Sequence, residues 1–142
     1  MKSLVKKSVL FATIISCLIF FGCAPSLESD VKAFQSELPV YLGEGMTITK
    51  CFLKGNMLEY VIEADESDYS LEDKYVQSSF KRAMEESKTE FLRDGDDDII
   101  ELLRLCKKEF KGVRYIMVGA KSRVSFVCME FSPVELQDLS WL

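Results

Sequence analysis

The stretch MTITKCFLKGNMLEYVIEA, residues 46–64, decides the fold. Two runs of alternating apolar and polar residues flank Gly55-Asn56, a pair that tolerates the positive φ of a tight hairpin turn. Pairing outward from the turn sets Leu53 opposite Leu58, Cys51 opposite Tyr60 and Thr49 opposite Ile62 on an inner face. Phe52 with Glu59, Lys50 with Val61 and Ile48 with Glu63 then fall on an outer face. Alternation of this kind describes antiparallel strands with one buried and one wet side.

A second hairpin is expected from Val113 to Val118 and from Arg123 to Phe131, around a turn at Gly119-Ala120-Lys121-Ser122. Met117 then faces Val124, Tyr115 faces Phe126 and Val113 faces Cys128, a wholly apolar core side. Between the hairpins the apolar period changes from two to about 3.6. Leu71 to Leu92 reads as one helix, with Leu71, Tyr75 or Val76, Phe80, Ala83 or Met84, and Phe91 on one stripe. Asp96 to Lys111 reads as another, with Ile99, Leu102, Leu103, Cys106 and Phe110 inward and Gly112 as a left-handed stop. Before the first hairpin, Leu27, Val31, Phe34 and Leu38 form a helical stripe that Pro39 ends, and Val40-Tyr41-Leu42 is a short extended piece. After the second, Ser132-Pro133-Val134-Glu135 has the form of a capping box that opens a short helix to Leu139. The order is helix, hairpin, two helices, hairpin, short helix. That order predicts an α+β two-layer sandwich, with an antiparallel four-stranded sheet from two hairpins and helices on one face.

The composition removes several chemistries. The 142 residues hold no histidine, so a Ser-His-Asp triad, a Cys-His pair and a His-ligated zinc site are all excluded. No Gly-rich phosphate loop and no Gly-x-Ser-x-Gly motif is present. The formal charge of -5 argues against nucleic acid, which asks for a basic face. Asp94, Asp96 and Asp98 have the opening spacing of a calcium loop, but Ile99 stands where that loop needs glycine and Leu105 where it needs glutamate. Aspartates there suit a helix N-terminus. No catalytic residue, metal site or cofactor is expected, and the chain is read as non-enzymatic.

The first residues make a targeting segment. Lys2, Lys6 and Lys7 precede a nearly all-apolar run from Val9 to Phe21, which is shorter than a spanning helix needs. The small residue Gly22 and then Cys23 follow. Phe20-Phe21-Gly22-Cys23 resembles the lipobox of bacterial lipoproteins at Gly22 and Cys23 and departs from it at the two phenylalanines. Ile14-Ile15-Ser16-Cys17 fits the four-residue pattern better but leaves a very short apolar stretch before it. Cys23 is therefore the expected lipidation site, with residues 1–22 a signal peptide that is removed and residues 23–142 a single mature domain. An ordinary secreted protein cut nearby is the competing reading. The resemblance implies a diacylglycerol on the Cys23 thiol and membrane anchoring through it. Ala24, in place of aspartate, resembles the outer-membrane sorting signal of enteric-type envelopes. The Gly45-Met46-Thr47 and Gly112-Val113-Arg114-Tyr115 strands resemble those of small uncharacterised envelope lipoproteins, and that resemblance implies no activity.

Losing Lys2, Lys6 and Lys7 from 18 basic residues leaves 15 against 23 acids, a formal charge of -8 for the mature chain. An acidic domain is repelled by anionic headgroups, so the tether has to hold it at the membrane. Cys51, Cys106 and Cys128 allow one disulfide in three pairings, or three small buried hydrophobes. Ile48, Phe52, Val61, Ile116 and Val127 crowd the outer sheet face, which is more apolar than a solvated face should be. They are the candidate contacts for an envelope protein partner, unless a helix covers them. A small-ligand carrier or a carboxylate-based hydrolase acting in the envelope is the alternative, and it needs a pocket with convergent acids.

Overall fold

The computed structural model describes residues 26–94 and 97–142. The segment expected to be a signal peptide (1–22), Cys23 and Ala24 lie outside the described residues, as do Gly95 and Asp96 of the acidic run. Helix α1 (Leu27–Gln35) starts at Ser26, whose hydroxyl accepts from the Ser29 N–H, and it buries Leu27, Val31 and Phe34. Strands β1 (Val40–Gly43), β2 (Met46–Lys54) and β3 (Met57–Ala64) follow. Next come helices α2 (Lys74–Asp94) and α3 (Asp97–Lys108), strands β4 (Gly112–Gly119) and β5 (Ser125–Phe131), and helix α4 (Pro133–Asp138). No helix among the described residues is long and apolar enough to cross a membrane.

The α+β class and the element order are as expected, but the sheet is not antiparallel and four-stranded. It has five strands in the order β1-β2-β3-β4-β5, and the β3–β4 pair is parallel. The extended piece at Val40 supplies the fifth strand. The parallel pair arises because α2 and α3 form a crossover that returns the chain to the starting end of β3, and parallel neighbours need such a connection. The Gly112 N–H donates to Asn56 O at 2.8 Å, so β4 begins beside the tip of the first hairpin. Gly112 does not stop a helix. It opens β4, where an added Cβ would lie 2.5 Å from Phe131 O and 2.8 Å from Met57 Sδ.

Two β-bulges change the expected faces. Gly55, at φ +59°, makes the first turn, and Leu53–Leu58, Cys51–Tyr60 and Phe52–Glu59 pair as expected. The register then slips between Ile48 and Lys50, so Ile48 pairs with Ile62 and Thr47 with Glu63. One extra residue reverses the alternation, and Ile48 becomes fully buried core instead of outer face. In the second hairpin Gly119 ends β4, and the turn runs on to Arg123, at φ +59°. Met117 therefore pairs with Phe126, Tyr115 with Met129 and Val113 with Phe131.

One core holds the layers together. Residues of all four helices (Phe34, Phe80, Leu103 and Leu136 among them) share a cluster with Ile48, Tyr60, Ile62, Tyr115 and Met117. The helices thus lie on one face of the sheet. At its centre the Tyr60 and Tyr115 rings stack at 5.3 Å, with Phe34 edge-on to Tyr60 at 5.7 Å. Phe110 was expected on the inward stripe of the helix, but α3 ends at Lys108 and Phe110 is 70% exposed. At the far edge, Lys88 of α2 donates to Glu130 O at 2.6 Å and pairs with Glu135 at 2.7 Å, covering β5. Glu135 is thereby drawn away from a reciprocal capping bond. Only the Ser132 half of the capping box forms, accepting from the Glu135 N–H at 3.0 Å.

Glu66 closes the other end of the parallel pair. Its Oε1 accepts from the N–H groups of Lys121 (2.9 Å) and Ser122 (2.7 Å), and its Oε2 from that of Leu71 (2.8 Å). Burial alone would raise this carboxyl, but the donors at Ser122, Leu71 and Lys121 hold it down at about 2. A depressed pKa contributes stability that is present above the ordinary carboxylate range and lost as pH falls toward 2. Urea unfolding should therefore show wild type more stable than Glu66→Gln by about 2–3 kcal/mol at pH 6, with the gap closing between pH 4.5 and pH 2. A pH-independent gap would mean that the carboxylate charge contributes nothing.

Candidate binding face on the open side of the sheet

The sheet face opposite the helices is built in rows, one residue from each strand. Phe52, Glu59, Arg114 and Glu130 make one row, and Lys50, Val61, Ile116 and Val127 make the next. Phe52, Val61, Ile116 and Val127 belong neither to the core cluster nor to the partly buried residues packed against it. Val127 is 40% exposed, and Phe52, Val61 and Ile116 are half-buried by their sheet neighbours. Four of the five expected contact residues thus stand together on one face, and Ile48 does not join them. Met129, which plain alternation would add, is turned inward by the slip between Tyr115 and Ile116.

An ion ladder crosses the middle of this face. Arg114 Nη1 donates to Glu59 Oε1 at 2.9 Å and Nη2 to Glu130 Oε1 at 3.2 Å. Glu59 is 4% exposed, on the central strand, and the parallel register sets it directly beside Arg114. Desolvation alone would lower the Arg114 pKa, but Glu130 and Glu59 raise it, so the guanidinium stays charged. Lower on the face Arg123 meets Glu63 at 3.4 Å in an exposed pair. The face therefore carries an apolar strip, Phe52 with Val61, Ile116 and Val127, interleaved with the charged Lys50, Glu59, Arg114 and Glu130.

The other candidate chemistries do not gather here. Cys51, Cys106 and Cys128 are free and buried, and none is bridged. Desolvation pushes each of the three thiols up to about 12, and the Cys128 thiol donates to Tyr115 O at 3.3 Å. Such thiols are neither nucleophiles nor ligands at neutral pH. Among the described residues no group of three or more Cys, Asp or Glu side chains is arranged to hold a metal ion. Sequence reasoning left Glu66 with the surface acids and missed both its buried role and the Arg114–Glu130 contact, because both depend on which strands become neighbours.

No protein-family model matches the chain, and no curated protein matches it in sequence. Among solved structures, it is similar to a Pseudomonas aeruginosa protein described only as a candidate secreted protein. The TM-score is 0.50 at 11% identity, over 78% of this chain and 89% of that one. This likeness concerns fold alone. Two weaker likenesses are to type II secretion system pilotins. One is from Vibrio vulnificus, with TM-score 0.47 at 9% identity, over 86% of this chain and 94% of that one. The other is from Vibrio cholerae, with TM-score 0.46 at 12% identity, over 88% and 97%. Both fall below the level at which a shared fold is inferred.

Two measurements check this description. Arg114→Met should destabilise the domain by about 3 kcal/mol, because it strands the buried Glu59 charge. Arg114→Met combined with Glu59→Leu should recover much of that loss, and a double mutant no better than the single would refute the ladder. At pH 8 a disulfide-based thiol reagent should leave Cys51, Cys106 and Cys128 unmodified in the folded protein and label all three in denaturant. Labelling of any of the three at native stability would contradict their burial.

Proposed function

We propose that this chain is a lipid-anchored protein of a bacterial envelope, held at the outer membrane through Cys23, and that it binds a protein partner through the open face of its sheet. The observation that carries the reading is the group Phe52, Val61, Ile116 and Val127, which stands outside the core on the face away from the helices. Apolar residues on a solvated face add less to the fold than core residues do, and a contiguous patch of them is the usual mark of a partner. The Glu59–Arg114–Glu130 ladder beside the strip stiffens the face and gives orientation, since misplaced charge against it is costly. The Gly22-Cys23 step after a basic start and an apolar run supports the anchor. A non-enzymatic role is supported by the absence of histidine and by the deep burial of Cys51, Cys106 and Cys128.

In-cell crosslinking and purification of the tagged full-length protein should recover one envelope partner. Phe52→Asp and Val127→Asp should each reduce that recovery by about tenfold or more, the loss expected at an interface hot spot. Val127→Asp should melt within a few degrees of wild type, and Phe52→Asp, which sets a carboxylate opposite Glu59, should melt somewhat lower but still fold, because neither residue is core. Ile48→Ala should instead destabilise the fold by about 2–5 kcal/mol, as a core truncation does. Cys23→Ala should release the protein from the membrane fraction. Full recovery of the partner with Phe52→Asp and Val127→Asp, or unfolding of both, would sink the proposal.

A further inference from the structure

We propose that the corner of the domain around Phe110 rests on an anionic bilayer surface, with the Phe110 ring entering the headgroup region. This inference rests on the Cys23 anchor proposed above. Phe110 is placed at two costs to the fold. It follows α3 in a Schellman turn, with the Lys111 N–H donating to Cys106 O at 2.9 Å and the Phe110 N–H to Lys107 O at 3.1 Å. The turn puts Phe110 at φ +57°, a left-handed conformation that suits glycine or asparagine and disfavours a bulky side chain. The ring gains no burial in exchange, since it is 70% exposed. A strained, exposed aromatic points to something outside the fold.

The chain itself says what lies outside. Glu109, the neighbour of Phe110, accepts from the Leu27 N–H at 2.8 Å, so the start of α1 is tied to this corner. Cys23 is four residues before Leu27, and four residues of chain reach at most roughly 14 Å. An acyl chain on Cys23 therefore keeps the end of the domain that carries Leu27 and Glu109 within roughly 14 Å of the bilayer. The charge matches that orientation. Lys108 and Lys54 are exposed here, and Lys111 reaches the hairpin tip at Gly55 O at 2.8 Å. Glu28 is paired with Lys32 at 3.3 Å, and the negative Glu109 carboxylate, which accepts from the Leu27 N–H, is outnumbered by Lys54, Lys108 and Lys111. Lys107 donates to Leu139 O at 2.6 Å, which brings the C-terminal turn and the 48% exposed Trp141 to the same end. Aromatic rings among lysines are the composition of a membrane-interface contact. The rest of the domain is acidic, so an anionic surface attracts this corner and repels the remainder.

The test uses the full-length protein extracted from bacterial membranes and reconstituted into phosphatidylglycerol–phosphatidylethanolamine vesicles whose acyl chains carry bromine near the headgroups. Mass spectrometry of the N-terminal peptide first reports the lipid on Cys23. Phe110→Trp in a Trp141→Phe background should then show blue-shifted emission quenched by about half or more, and Lys108→Glu with Lys111→Glu should reverse most of the quenching. Phe110→Gly, which relieves the left-handed strain, should melt at or above the wild-type temperature. Unquenched, water-exposed emission from a protein that carries the lipid would overturn the docking and leave the anchor standing. A Cys23 without lipid would overturn both. A Phe110→Gly variant that melts several degrees lower would show that the ring serves the fold. A blue shift seen in whole envelopes but not in vesicles would assign the corner to a protein instead. Each of the last two outcomes also defeats the proposal.

Discussion

The parallel pairing of β3 with β4 is the constraint on which the rest of the molecule depends. It runs in unbroken register from Met57 beside Gly112 to Ala64 beside Gly119. Its two ends are held by different means. At the starting end the Gly112 N–H meets Asn56 O, and Gly112 has no side chain to keep Phe131 O and Met57 away. At the finishing end the Glu66 carboxylate gathers three N–H groups from two loops, and a Cβ on Gly119 would collide with it. Both faces follow from this register. Tyr60 beside Tyr115 makes the stacked centre of the core, and Glu59 beside Arg114 makes the ion ladder on the open side.

What could be read from the residues, and what could not, divides along physical lines. Local signals survived. The Gly55-Asn56 turn set the inner pairs of the first hairpin, because a two-residue turn leaves the register no freedom. The Ser132 cap starts its helix where a short polar side chain can satisfy a free N–H group. Non-local choices were invisible. Nothing in the run around Thr49 announces a bulge, yet that one extra residue carried Ile48 across the sheet. The second turn was misread because Gly119 looks like a turn residue, whereas the left-handed position is taken by Arg123. Periodicity placed the two helices between the hairpins, but it does not say that they carry the chain back to make a parallel pair.

The candidate face shows the same division. Alternation alone groups Phe52, Val61, Ile116 and Val127, and they share one side because each bulge falls just beyond them, between Ile48 and Lys50 in β2 and between Val127 and Met129 in β5. Their charged neighbours acquire meaning only from strand order. Arg114 lies 55 positions from Glu59 in sequence and becomes its partner through the crossover. A buried ion pair of this kind does little for net stability, because desolvation offsets most of the attraction. Its larger effect is to penalise any register that would separate Arg114 from both of its acids, so the ladder specifies the sheet more than it strengthens it.

The ends of the strands relate the two proposed surfaces to each other. β3 and β4 both begin at the end of the domain where Lys111 meets Gly55 and where Glu109 holds the start of α1. With that end on the bilayer, both strands rise away from the membrane and the Glu66 clip lies at the distal end. The sheet then stands on the ends of its strands, and its open face points sideways instead of into the lipid. Residues of the strip lie at different heights along it, with Phe52 near the hairpin tip and Val61, Ile116 and Val127 one row farther from it. A partner approaching in the plane of the membrane meets the strip directly. Tethering through a floppy linker would let the domain tumble and hide that face part of the time. A corner docked through Phe110 and its lysines, as proposed, would remove that freedom, and the strain at Phe110 would then be offset by the orientation of a surface on the other side of the sheet.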